Sequence, residues 1–136
     1  MQTAIERYTL EVIKIVYTGI FATLLQVQYK AGSGASATAS AEAFVNSFMT
    51  EAESYINSKC RFNFSDVYDT LNADTKGILQ EAASCIAANY VIQYDMSGFS
   101  SRIEAEDMIN VNRDRYMAAI QLLGDKKVTD FIREVA

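Results

Sequence analysis

The stretch YDMSGFSSRIEAEDMINVNRD, from Tyr94 to Asp114, contains the junction between two predicted helices. Gly98 lies in the break, and Ser101 followed by Glu104 has the S-x-x-E pattern of a capping box, in which a hydroxyl and a carboxylate each bind a free backbone N–H. A helix is therefore predicted from Ser101 to about Leu123, with Gly124 as its left-handed terminating residue. The stretch predicts a helical hairpin.

The predicted helix before the break is apolar on nearly every side. It begins at Asp74, its predicted cap, and is rich in alanine, isoleucine and valine as far as Tyr94. A helix that is apolar all round lies at the centre of a fold. Gly77 in its first turn lowers helix stability by up to about 1 kcal/mol relative to alanine, so we expect it to serve a close contact.

Two further helices are predicted outside this hairpin. Ser40 is the expected cap of a helix that runs to about Lys59 with an apolar stripe, and Ser65 is the expected cap of a short turn in the connection that follows. Asp125 is expected to cap a last short helix whose apolar side is formed by Val128, Phe131, Ile132 and Val135. The predicted fold class is mainly α, a small helical bundle with a flexible or extended N-terminal arm and a short C-terminal helix.

The chain divides into residues 1–39 and a helical domain over residues 40–136. The N-terminal pattern is ambiguous between helix and strand, and we predict a helix near Thr3 to Val16 and an extended piece over Tyr17 to Tyr29. KAGSGASATA, from Lys30 to Ala39, is predicted to be a flexible loop. The apolar run before it suggests contact with a neighbouring subunit through Ile15, Ile20, Phe21, Leu24 and Leu25.

Length and charge limit the classes of function. The chain has 136 residues, enough for one core, and a net charge of −5, which disfavours ordinary binding to nucleic acid. Its longest apolar run is shorter than the roughly 20 residues of a membrane span, and no signal peptide is recognisable, so no membrane partner is expected. Cys60 and Cys85 are either buried free thiols or, if their helices are neighbours, a disulfide.

Candidate chemistry is confined to carboxylates, because the chain contains no histidine and no serine or cysteine with an evident base partner. Glu104, Glu106 and Asp107 could bind a divalent cation or act as acid and base. Negative charge is also favoured in the first turns of a helix, which is the preferred interpretation. No catalytic, cofactor-binding or metal-binding residue and no cofactor is therefore predicted.

Several phrases occur together in one order: EAESYINSKCRFNF, then LNADTKGILQEAASCIAANYVIQYDMSGF, then SRIEAEDMINVNRDRYMAAIQLLGD and a final KKVTDFI. In this order the chain resembles the head-to-tail connector, or adaptor, proteins of tailed bacteriophages over about residues 40–136. The resemblance implies a helical subunit that forms a ring, typically of twelve copies, beneath the portal. Such a ring extends the DNA channel and carries the stopper or tail protein.

The resemblance also implies a docking role for the C-terminal segment against the portal, with Val128, Phe131, Ile132 and Val135 as the apolar contacts. DNA would pass through the ring without specific binding, which suits an acidic protein. The expected location is the virion neck, after synthesis in the host cytoplasm. The first 30 residues and the glycine loop do not match the family pattern.

Two other hypotheses stay open at the level of sequence. The first is a small helical regulatory module that binds a protein partner through its C-terminal amphipathic helix. The second is a metal-dependent enzyme that uses Glu104 and Asp107, which are three residues apart and share a helical face.

Overall fold

The computed structural model describes residues 19–125, and this range is helical, with no β-strand. The helices, in chain order, are α1 (Leu24–Ala31), α2 (Glu42–Cys60), α3 (Phe64–Val67), a 3₁₀ turn (Tyr68–Thr70), α4 (Ala73–Tyr94) and α5 (Arg102–Leu123). The predicted mainly α bundle is confirmed. The predicted helix near Thr3 to Val16 and the predicted C-terminal helix lie outside the described residues.

Helix α4 is the centre of the bundle, as its composition predicts. It packs against α5, α2 and α1. Four of its five alanines are fully buried, and Leu79, Val91 and Ile92 are buried with them; the exception is Ala73 in the first turn, which is exposed. The small side chains allow three helices to approach α4 closely, so most of the core is built around this one element.

Helix α1 corrects the prediction of an extended piece over Tyr17 to Tyr29. Thr23 accepts a hydrogen bond from the backbone of Gln26, and the Gln26 side chain accepts one from the backbone of Thr23 at 2.9 Å, which completes a capping box. This local signal outweighs the β-branched and aromatic residues nearby. Val27 and Ala31 are buried, so α1 belongs to the core of the bundle.

The glycine-rich loop after α1 also packs on the bundle. Ala39 is fully buried, and Gly34 lies against Gly98 in the connection between α4 and α5. A Cβ atom on Gly98 would collide with the carbonyl oxygen of Gly34. Glycine at residue 98 therefore allows the backbone of this loop to touch the hairpin connection.

The predicted helix ends are partly correct. Helix α5 begins at the predicted cap, where Ser101 Oγ accepts a hydrogen bond from the Glu104 backbone N–H at 3.1 Å, and it ends at Leu123 as expected. Gly124 has φ −88° and is right-handed, so its predicted left-handed conformation is wrong. Among the described residues, positive φ angles occur at Gly32 (86°), after α1, and at Arg61 (54°), which ends α2 in the left-handed helical conformation.

Three other predicted caps are wrong by one or two residues. Helix α2 begins after Ala41 and not Ser40, and Ala41 makes no side-chain cap. Asn72, not Asp74, caps α4 by accepting a hydrogen bond from the Thr75 N–H at 2.8 Å. In the connection that precedes α4, Asn63 caps the short α3 in place of Ser65, whose hydroxyl instead accepts from Asn57 Nδ2.

Candidate interaction surfaces

Helix α5 presents apolar side chains to solvent along one side. Ile103, Val111 and Leu122 lie within an arc of about 100° on the helix, since successive residues are about 100° apart. Ile103 is 70% exposed, Val111 50% and Leu122 43%. We call these three residues the α5 stripe. Exposed apolar surface of this kind marks a site of contact with another molecule when it is contiguous.

Two cavities border the α5 stripe and meet at Arg115. The first, of about 550 Å³, lies between α5 and the end of α1, with Lys30, Met108 and Asn112 in its wall. The second, of about 450 Å³, lies between the C-terminal half of α5 and the first turns of α4. We call the second cavity the hairpin groove. The two cavities together make a concave surface along most of α5.

A buried cation lies in the wall of the first cavity. Lys30 Nζ is 2.8 Å from Glu81 Oε2 and 2.6 Å from Ser84 Oγ, and its side chain is only 8% exposed. The hydrogen bond from Lys30 is the main cause of a lowered pKa for the Glu81 carboxyl. This cluster attaches α1 to α4 by a charged contact as well as by apolar packing.

Cys85 lies beside this cluster and is a free thiol. Its Sγ is 3.5 Å from Glu81 Oε1, and burial raises the pKa of Cys85 to about 11. Cys60 is also free, and burial raises its pKa. The sequence allowed either two free thiols or a disulfide, and the structure has the free thiols. Because its pKa is raised, Cys85 is protonated near neutral pH and is a poor nucleophile.

The predicted contact residues near the N-terminus divide into two groups. Ile15 lies outside the described residues, while Ile20 and Leu25 are exposed. Phe21 is only 2% exposed because its ring stacks on Tyr68 with centroids 5.7 Å apart. Leu24 packs against the same core. Phe21 therefore serves the subunit's own core and is withdrawn from the predicted subunit contact, while the half-buried Leu24 stays a predicted contact with Ile20 and Leu25.

A carboxylate that sequence analysis did not single out holds this segment in place. Glu53 Oε2, on α2, accepts hydrogen bonds from the backbone N–H groups of Ile20 at 2.6 Å and Phe21 at 3.1 Å. Burial raises the pKa of Glu53, and the two hydrogen bonds oppose that shift. Its sequence position gave no signal of this role, because its partners are more than 30 residues away.

The C-terminal contact residues Val128, Phe131, Ile132 and Val135 lie outside the described residues, so their docking role stays a prediction. The sequence also did not point to the α5 stripe as a surface. A helical projection of α5 would have found it, since Ile103, Val111 and Leu122 are separated by eight and eleven residues.

The acidic residues of α5 lie at its surface. Glu104 and Asp107 border the first cavity, and Glu106 accepts a hydrogen bond from Arg102 Nε at 2.8 Å. Between residues 19 and 125 no three metal-ligating side chains are grouped so as to hold an ion. Among the helices in this range, none has both the length and the apolar character needed to cross a membrane.

Searches of protein-family models, curated proteins and solved structures found no match to this chain.

Proposed function

We propose that the protein is a virion structural protein, a head-to-tail adaptor that forms a ring beneath the portal of a tailed bacteriophage. The ring would extend the DNA channel in the virion neck and carry the stopper or tail protein. The proposal is supported by the resemblance of residues 40–136 to that family. It involves no catalytic step.

The observation that carries the proposal is the presence of apolar side chains in solvent on two separate helices. The α5 stripe is one such surface. Leu25, which is 69% exposed, and Tyr29 lie one turn apart on α1 and make the other. A ring of identical subunits joins two different patches of each copy, so a ring subunit needs a pair of surfaces of this kind.

The charge of the chain is compatible with a channel wall. A net charge of −5 gives little attraction for the phosphate backbone, so DNA would move through the ring without being held. Glu104, Glu106 and Asp107 supply exposed negative charge near the N-terminus of α5. This end of α5 is our candidate for the side of the subunit that faces DNA.

The proposal is tested by mixing the full chain with the purified portal protein of the same virus and examining the mixture by electron microscopy. We expect an added ring, of twelve copies by the family resemblance, on one end of the portal. A complex in which single copies bind without a ring would favour the regulatory-module hypothesis instead. If the protein and the portal form no complex at any salt concentration, the proposal is overturned.

A further inference from the structure

The exposed side of α5 carries an acid, an apolar side chain and a base at equal spacing. Asp107, Val111 and Arg115 are four residues apart, so they follow one another along one side of the helix at intervals of about 6 Å. All three are exposed, and Val111 is 50% exposed. Neither charged group forms an ion pair with another side chain of residues 19–125. The described subunit therefore leaves both charges available to another molecule.

We propose that this side of α5 binds a second copy of the same chain, with the two α5 helices antiparallel and Val111 facing Val111 across a two-fold axis. Asp107 lies four residues before Val111, and Arg115 lies four residues after it. The antiparallel arrangement therefore places Asp107 of each copy level with Arg115 of the other. One contact between opposite charges forms on each side of the axis. Contacts in which both copies use the same surface are the commonest between identical subunits.

The charges on this side favour the antiparallel direction. In a parallel pair in register, Asp107 would face Asp107 and Arg115 would face Arg115, so like charges would repel each other at both positions. Glu104, one turn before Asp107, lies in the antiparallel pair level with the exposed Ala118 of the second copy, one turn from its Arg115. The guanidinium of each copy thus lies near two carboxylates of the other, and its planar set of N–H groups suits that arrangement.

The rest of the α5 stripe fits the same pairing. Ile103 lies eight residues before Val111 and Leu122 eleven residues after it. Ile103 of one copy and Leu122 of the other therefore differ in level by three residues, about 4.5 Å along the helix axis. The apolar side chains lie at the centre and at the two ends of the pair, with the charges between them. Burial of the stripe would provide affinity, and the charges would fix the direction.

The hairpin groove opens beside this side of α5, at Arg115 and Leu122. Gly77 lines the groove, and a Cβ atom placed on it would have no heavy atom of another side chain within 4 Å. The predicted close contact at this glycine is therefore absent in the described subunit. In the antiparallel pair the first turns of the second copy's α5 lie level with the groove and would cover it.

This inference concerns the free protein and does not depend on the adaptor proposal. A two-fold contact is complete with two copies, whereas a ring joins two different surfaces of each copy. If both proposals hold, the dimer has to separate before the α5 stripe can join a ring. Dimer formation would then restrain ring assembly by subunits that are not bound to the portal.

The first test is analytical ultracentrifugation of the full chain alone over a range of concentrations. We expect a reversible change from one to two chains per particle. Asp107→Arg and Arg115→Asp should each raise the dissociation constant at least about tenfold, because each replaces both contacts between opposite charges by contacts between like charges. Arg113→Asp changes the net charge as Arg115→Asp does, at an exposed residue on the other side of α5, and should leave the constant unchanged.

A mixture of the two single variants tests the two-fold arrangement itself. In a heterodimer of Asp107→Arg with Arg115→Asp, the two introduced side chains face each other, and so do the two native ones. We therefore expect an equimolar mixture to form dimers with about the affinity of the unaltered protein, although each variant alone stays monomeric. A mixture that stays monomeric would contradict the pairing.

Cross-linking locates the axis. Val111→Cys should give a disulfide-linked dimer on mild oxidation, because residue 111 of one copy meets residue 111 of the other. Asn110→Cys places a thiol at the neighbouring exposed residue, which points to another side of α5, and should not cross-link. Equal cross-linking of the two variants would overturn the proposal. A single chain per particle at every concentration would also overturn it, and would leave the ring contact and portal docking to be tested separately.

Discussion

Glu53 connects α2 to the backbone of residues 20 and 21, at the start of the described part of the chain. One of its carboxylate oxygens accepts the N–H groups of Ile20 and Phe21, and the residue is only 8% exposed. Glu53→Ala leaves both donors without this partner, and we expect a loss of about 2–4 kcal/mol in the free energy of unfolding. Urea unfolding at neutral pH measures it. Glu51→Ala, at an exposed position of the same helix, should change it by less than about 0.5 kcal/mol.

A loss in Glu53→Ala no larger than that of its control would show that the segment is held by apolar packing alone. Phe21 is the main source of such packing, through its stack on Tyr68. The two contributions are separable, because Glu53→Ala leaves the Phe21 side chain unchanged.

The same carboxylate should make the stability of the protein depend on pH. Burial is the larger influence on Glu53 and raises its pKa above the ordinary value of 4.5. Because the folded state then binds the proton more tightly than the unfolded state, its contribution to stability is complete below that value and is lost as pH rises through the folded pKa.

Glu53→Gln keeps a carbonyl oxygen as acceptor and removes the titration. We therefore expect the free energy of unfolding of the unaltered protein, relative to Glu53→Gln, to fall as the pH rises from 4.5 through the raised pKa of Glu53 in the folded state. Denaturant titrations of both proteins across this range measure the difference. A difference that is constant with pH would contradict the prediction.

At the scale of the elements, the helix caps provide the clearest test of the observed boundaries. Asn72 accepts the Thr75 N–H and Ser101 accepts the Glu104 N–H, so alanine at either position should lower the free energy of unfolding by about 1 kcal/mol. Asp74 makes no cap in α4, and Asp74→Ala should lose only the interaction with the helix dipole, about 0.3–0.5 kcal/mol. Thermal or urea unfolding of the three variants compares them. A larger loss at Asp74 than at Asn72 would place the start of α4 where the sequence alone suggested.

The central hairpin was predictable from the sequence for physical reasons. Helix α4 is long and apolar on all sides, and α5 begins with a strong local signal at Ser101, so local preference and burial agree. The predicted starts of α2, α3 and α4 were wrong by one or two residues. Several cap-forming residues stand close together before α2, α3 and α4, and the backbone conformation that selects among them depends on packing.

Contacts between distant parts of the chain could not be predicted from the sequence. The bonds from Ile20 and Phe21 to Glu53 and the cluster of Lys30, Glu81 and Ser84 join segments more than 30 residues apart. A single sequence carries no local pattern for such pairs. The burial of Phe21 follows from the same contacts, and this is why an apolar run expected to reach a neighbour is partly used within the subunit.

At the scale of the whole molecule, α5 has two roles. One side covers α4 through Ala105, Asn112, Ala119 and Ile120, and the other side exposes the α5 stripe. An apolar surface that the subunit does not need for its own core can be altered without loss of stability. The stripe can therefore be tested for assembly separately from folding.

The double substitution Ile103→Glu and Val111→Glu makes this test. Both side chains are at least half exposed, so we expect the melting temperature to change by no more than a few degrees, about the effect of 1 kcal/mol. Each subunit contact would lose about 1–2 kcal/mol of apolar burial per residue, so assembly on the portal, followed by analytical ultracentrifugation, should weaken at least about tenfold. Ser54→Glu with Ser58→Glu adds the same charge to an exposed face of α2 and should assemble normally. Assembly of the α5 double variant at the unaltered affinity would show that the stripe is not a subunit contact.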